Sequence, residues 1–193
     1  MLTLFHAPSS PSSRMVWLLE ELQVEYRLEI VSFPENDGLN LDPRNPHPHG
    51  YTPALVHDGA LVTESGAITL YLTDLFPHSP LGVAISDPLR ARYVTWLFYQ
   101  VGLTEPLIYM EARKLLAADT AMSRLFVSMM RNIEKSLATS PYLLGERFTA
   151  VDILYMSLFD HARKLLGKLD WIEAYTARGL DRPARRRALL KAG

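Results

Sequence analysis

Gly50-Tyr51-Thr52-Pro53-Ala54-Leu55-Val56 and, after a tight turn, Leu61-Val62-Thr63-Glu64-Ser65-Gly66-Ala67-Ile68 form the stretch whose reading decides the fold. A proline at the entrance of a short apolar strand has no N–H to give to a ladder. With a cis bond to Thr52 the preceding backbone is expected to turn outward, its amide groups open to an extended peptide. About ten residues later an acid and a hydroxyl stand where a strand gives way to a helix. Glu64 is placed to take a ligand's ammonium, and Ser65 with the nearby helix N–H groups to take its carboxylate. Together these residues read as a receptor for a small zwitterionic peptide.

The sequence on either side supplies the scaffold. Leu2, Leu4 and Phe5 predict a short strand, and Ala7-Pro8-Ser9-Ser10-Pro11-Ser12-Ser13 a loop of turn formers. Met15, Leu18, Leu19 and Leu22 then recur at helical spacing, with Glu20 and Glu21 on the polar side and Ser12 or Ser13 as the cap. Tyr26 to Val31 alternates as a second strand. From Phe33 to His49, Pro34, Pro43, Pro46 and Pro48 with Gly38 permit only short irregular pieces. Ala54-Leu55-Val56 and Ala60-Leu61-Val62 flank His57-Asp58-Gly59 as a hairpin, and Ser65 to Phe76 is helical, ending at Pro77. Residues 1–77 thus read βαβ then ββα, and 78–87 as a linker.

Everything beyond is expected to be helical. A long aromatic segment from Leu89 to about Leu116 is interrupted near Gly102 and Pro106, and Met122 to Leu137 is a further helix. Thr149-Ala150-Val151-Asp152 carries the spacing of a capping box, worth about 1 kcal/mol. The helix it opens, with Ile153, Leu154, Met156, Leu158 and Phe159, is apolar nearly all round and should be the buried axis of a second domain over 88–193.

Composition narrows the chemistry. In 193 residues there is no cysteine, which removes disulfides, zinc–thiolate sites and thiol nucleophiles of the protein's own, so any sulfur chemistry must use a ligand's sulfur. No apolar run approaches the roughly 18 residues of a membrane span, and the start of the chain lacks a basic secretory signal; a soluble cytoplasmic protein is expected. Residues 1–77 hold three Lys or Arg against ten Asp or Glu, and the remainder is basic. The shift marks a boundary more than a nucleic-acid partner. The terminal basic stretch from Arg178 to Lys191 lacks interleaved aromatics and reads as a solvated helix end. His6, His47, His49 and His57 show no metal-binding spacing, so no metal is expected.

In this order and spacing the motifs resemble the glutathione S-transferases over nearly the whole chain. Leu4-Phe5-His6-Ala7-Pro8 with Ser10, Arg14 and Trp17-Leu18-Leu19-Glu20-Glu21-Leu22 is similar to bacterial and fungal members that use a serine. Asn45 to Leu55 resembles the family's proline segment, Glu64-Ser65 its glutamyl-binding pair and Phe148 to Ile153 its capping box. The resemblance implies a thioredoxin-like α/β domain over 1–77, an all-helical domain after the linker, and a two-fold homodimer. It also implies glutathione as co-substrate, bound by Tyr51, Thr52, Pro53, Glu64 and Ser65, and attack on a small hydrophobic electrophile. Two departures stand out: Tyr51 occupies a position where many relatives carry Lys or Arg, and Leu116 to Ala121 joins two helices tersely.

A thiol of pKa about 8.5 is only a few per cent thiolate at neutral pH, so the implied task is to lower that value with a hydroxyl donor near a helix start. By the resemblance that donor is Ser10, four residues before Arg14; Ser12 and Ser9 are its rivals, and an inert loop of turn-forming serines is the remaining reading. Glu64 and Ser65 would also serve as a simple helix cap without any ligand. Arg14 either contacts the ligand or pairs with a nearby acid. By the resemblance, one or two of Phe98, Tyr99 and Tyr109 are expected to line a cleft for an apolar electrophile, although an aromatic stripe is more often core. A glutathione-dependent isomerase, dehalogenase or peroxidase, and a non-enzymatic binding module, share the same scaffold. A protein disulfide reductase is disfavoured because no cysteine can form a mixed disulfide.

Overall fold

The computed structural model describes residues 1–33 and 41–193; residues 34–40, inside the stretch expected to be irregular, lie outside the described residues. Strands β1 (Leu2–His6), β2 (Tyr26–Ile30), β3 (Ala54–His57) and β4 (Ala60–Thr63) form one sheet in the order β2-β1-β3-β4. β1 runs parallel to β2 and antiparallel to β3. A parallel pair needs a crossover, which α1 (Ser13–Leu22) provides, whereas β3 and β4 need only the turn at Asp58-Gly59. Both turn residues take positive φ, 47° and 86°, the twist such a hairpin requires. The Thr52–Pro53 peptide bond is cis. α2 (Ser65–Leu75) follows β4.

Leu2 and Leu4 of β1, Met15, Leu18 and Leu19 of α1, Leu55 of β3, and Ile68 and Leu72 of α2 are buried and make the core of this unit. Each such side chain stabilises the fold by about 1.5–3 kcal/mol.

Residues Pro80–Leu180 form a second compact unit. It contains α3 (Arg90–Tyr99), a π-helical turn over Gln100–Thr104, α4 (Glu105–Ala112), a 3₁₀ turn over Leu116–Ala118, α5 (Thr120–Leu137), α6 (Ala150–His161), α7 (Arg163–Leu166) and α8 (Asp170–Leu180). The interruption expected near Gly102 is the π turn, and Pro106 sits harmlessly in the first turn of α4. α5 begins before its apolar periodicity does, because Asp119 Oδ1 accepts the N–H groups of Ala121 and Met122 at 2.9 and 3.0 Å. Ala150 to Met156 of α6 are all buried, so this helix is the axis that its composition predicts. The capping box closes with Thr149 N–H donating to Asp152 Oδ2 at 2.8 Å. Asp152 Oδ1 also accepts from Leu143 N–H at 3.0 Å and Tyr175 Oη at 2.8 Å. Its complete burial pushes the carboxyl's pKa up, opposed by those donors.

The expected division of the chain needs one correction. Asp181–Gly193, including α9 (Pro183–Ala192), belongs with Met1–Ser79 and not with the helical unit. The basic terminus, although Arg178, Arg186, Arg187 and Lys191 stay exposed, is also tied to α1. Arg182 forms a forked pair with Glu21 at 2.5 and 2.8 Å, and Arg187 and Lys191 reach Glu20 at 2.8 and 2.5 Å. Ala184, Ala188 and Ala192, spaced by four, are buried and let α9 lie close on α1. The partners are about 160 residues apart in sequence, so no local pattern announces them.

Candidate active site

The serine loop leaves β1 at His6 and enters α1 at Ser13. Its three candidates have different environments. Ser9 is exposed, with a φ of 57°. Ser12 is wholly buried, and its Oγ lies 2.6 Å from His6 Nδ1 and 3.3 Å from Ala7 N. Ser12 is at the N-cap position, yet its side chain makes no cap hydrogen bond, since it faces His6 instead. Ser10 is half-buried between these two extremes, with its Oγ 2.5 Å from Ser12 Oγ and 3.1 Å from Thr52 Oγ1. Folding therefore brings Ser10 from the first loop beside Thr52 from the segment before β3. Arg14, buried in the first turn of α1, donates from Nε to the Pro11 carbonyl at 3.0 Å and ties the loop to the helix.

The proline segment is braced from within. Asn45 Nδ2 donates to the carbonyls of Gly50 and Tyr51 at 2.8 and 3.0 Å, and Asn45 Oδ1 accepts from His47 N at 3.1 Å. His49 N–H donates to His47 Nδ1 at 3.1 Å, which fixes that nitrogen as an acceptor. Burial lowers the pKa of His47, opposed by the Glu64 carboxylate. Tyr51 is half exposed, its ring 5.8 Å from Phe33 and 6.0 Å from His47. Tyr51 therefore stands in an aromatic and imidazole cluster with Phe33, His47 and His49.

Glu64 is exposed and holds a φ of 68°, a conformation that side-chain-bearing residues avoid. It stands at the N-cap of α2, whose first turn has no side-chain cap; Ser65 beside it is buried. The N–H groups at this helix start remain available to an anion.

Phe98 and Tyr99 lie at the end of α3 and Tyr109 on α4, all in the second unit. Phe98 is 56% and Tyr109 38% exposed, so neither ring is core. Tyr99 is half-buried, edge-on to Trp96 at 5.4 Å. Among the described residues no group of His, Cys, Asp or Glu is arranged to hold a metal, and no helix is long and apolar enough to cross a membrane. Sequence reasoning missed His6, which it weighed only as a metal ligand. Its alternation with Leu4 on the buried face of β1, six residues before Ser12, was the available signal.

Residues 1–74 match the family model described as glutathione S-transferase, N-terminal domain. Along its full length the chain is 30% identical to the disulfide-bond oxidoreductase YfcG of Escherichia coli K12, of which it covers 96%. The chain belongs to the glutathione S-transferase family. A solved glutathione transferase from Methylococcus capsulatus superposes with a TM-score of 0.85 at 26% identity, covering 100% of this chain and 99% of that one. A sphingomonad glutathione S-transferase, solved in complex with glutathione, superposes at 0.80 with 24% identity and coverage of 99% and 98%. The glutathione S-transferase fold is thus established: a thioredoxin-like mixed sheet with its helices in the N-terminal part, followed by a mostly helical remainder.

Proposed function

We propose that this glutathione S-transferase family member binds glutathione on its thioredoxin-like unit and activates the thiol for attack on a small hydrophobic electrophile. Ser10 donates to the sulfur. Thr52, following the strand-addition mode, pairs its backbone with the cysteinyl unit beside Pro53, and Tyr51 packs on the ligand. Glu64 takes the ammonium, and Ser65 with the start of α2 takes the glutamyl carboxylate. Phe98, Tyr99 and Tyr109 hold the electrophile, and the protein works as a cytoplasmic homodimer.

One observation carries the reading. Of the three serines, Ser10 alone is both half-accessible and adjacent to the proline segment, 3.1 Å from Thr52. Catalysis then consists of thiolate stabilisation plus proximity. Calorimetry with glutathione and conjugation of an aryl halide test it together. Ser10→Ala should bind glutathione and lose about 10²–10³-fold in conjugation rate, the usual effect of removing one donor to a developing anion. Unchanged conjugation and thiolate absorbance in that variant would remove Ser10, and no binding at millimolar glutathione would leave a non-enzymatic module.

A second reading is favoured by the 30% identical relative named a disulfide-bond oxidoreductase. Lacking cysteine, this chain would draw both electrons from two glutathione molecules, giving glutathione disulfide and two product thiols per disulfide reduced. Product analysis separates it, and the isomerase, dehalogenase and peroxidase variants, from conjugation.

A further inference from the structure

The buried hydrogen bonds behind Ser10 have a direction. His6 is wholly buried, with Nε2 2.9 Å from the Ala192 carbonyl and Nδ1 2.6 Å from Ser12 Oγ. A carbonyl only accepts, so Nε2 carries a proton. Burial lowers the imidazole's pKa, the Ala192 bond opposing, and the free protein holds it neutral. Nδ1 is then bare and takes the hydroxyl proton of Ser12. The other acceptor for that hydroxyl, the Ala7 carbonyl, is 3.5 Å away, too far for a good O–H···O bond. With its proton turned to His6, Ser12 Oγ can only accept, and the proton of Ser10 points at it across 2.5 Å. Ser10 Oγ in turn accepts from Ser12 N–H at 3.2 Å and from Thr52 Oγ1 at 3.1 Å. Every hydroxyl points inward, toward His6.

In that state Ser10 cannot donate to a thiolate without leaving either its 2.5 Å contact to Ser12 with no proton between the oxygens or His6 Nδ1 without a donor. The conflict disappears if His6 gains a proton, because the whole line then reverses and Ser10 donates outward. Resting on the assignment of Ser10 above, we propose that His6 is the internal acceptor of the glutathione thiol's proton, reached through Ser10 and Ser12. The S–H bond breaks and its proton goes to Ser10 Oγ; the Ser10 proton passes to Ser12 Oγ and the Ser12 proton to His6 Nδ1. Three bonds break and three form. The products are a thiolate facing the outward-pointing Ser10 hydroxyl and an imidazolium whose Nε2–H stays on the Ala192 carbonyl. Opposite charges at the two ends of a short buried line stabilise each other and couple the two titrations.

The charged groups on the elements around His6 have other partners. On α1, Arg14 donates to Pro11 O, while Glu20 and Glu21 meet Arg182, Arg187 and Lys191 of α9. On β2, Arg27 pairs with Glu29, and on β3, His57 meets Tyr71 at 2.7 Å. Ser12 and Ala192 are the hydrogen-bond partners of the His6 ring among the described residues.

The test counts protons. Glutathione is titrated into the wild-type protein near neutral pH in buffers of differing ionisation enthalpy, and the thiolate formed is read by ultraviolet absorbance. Retention of the proton by His6 predicts well under half a proton released per thiolate, with the ring nitrogens of His6 shifting to imidazolium values by NMR. About one proton released per thiolate with His6 still neutral overturns the relay while leaving the proposed function intact; absent binding overturns both. His6→Gln keeps an acceptor for Ser12 but no base. It should release about one proton per thiolate and raise the bound thiol's pKa by about one unit or more. If that variant does not fold, the proton count and NMR of the wild-type protein decide alone.

Discussion

Two helices of this protein begin in opposite ways. α6 is closed by its own side chains: Thr149 and Asp152 satisfy each other's backbone, and Asp152 takes two further donors, from Leu143 and Tyr175, in complete burial. α2 begins with Glu64 held at positive φ, no side-chain cap and an exposed carboxylate. The first start uses its polar groups for stability. The second leaves them open and holds a costly backbone conformation beside them, the condition expected of a site that an outside ligand completes. Both sequences look like caps; what separates them is whether the fold supplies the missing partners.

The largest effect is expected at α6. Asp152→Ala strands the Leu143 and Thr149 N–H groups and the Tyr175 hydroxyl in the core, and should cost about 3–5 kcal/mol in urea denaturation. A loss under about 1 kcal/mol would show that α6 is not held by its cap. At α2 the signs should split. Glu64→Gly removes the charged contact proposed for glutathione's ammonium and should weaken binding about 10–100-fold, yet raise stability by about 1 kcal/mol by relieving the positive φ. Parallel loss of both would make Glu64 an ordinary cap.

A subtler effect is carried by pH. His6 and His47 both have pKa values lowered by burial, so the unfolded chain binds protons that the folded one does not as pH drops below about 6.5. Stability should be full above that value and fall through the window beneath it, ahead of the carboxylates. His6→Gln should flatten the slope of the melting temperature over that range, and an unaltered slope would mean that His6 does not titrate on unfolding. The smallest change is expected for Arg187→Ala, about 0.5–1 kcal/mol, because its guanidinium is half exposed and Glu20 keeps Lys191 and Tyr26. A larger loss would mark α9 as a principal support of α1.

The strands, the hairpin at Asp58-Gly59, α2 and the α6 cap were legible because each depends on neighbours within a few residues. Ser10 and Thr52 were singled out as candidates, but their meeting depends on the return of β3 beside β1, which periodicity does not show. His6 was invisible for a further reason: its partners come from a loop six residues on and a helix 186 residues on, and only packing unites them. The same distance concealed the basic residues of α9, which in isolation have the composition of a free helix end.

That late return of α9 bears on how the protein is made. A ribosome delivers α1 first and α9 only after all the helices between them, so throughout synthesis the Glu20 side of α1 has neither its alanine-studded cover nor its cationic partners. The sheet can assemble early, whereas the environment of His6 is complete only once the Ala192 carbonyl arrives. Completion of the serine loop's surroundings thereby waits for synthesis of the whole helical unit.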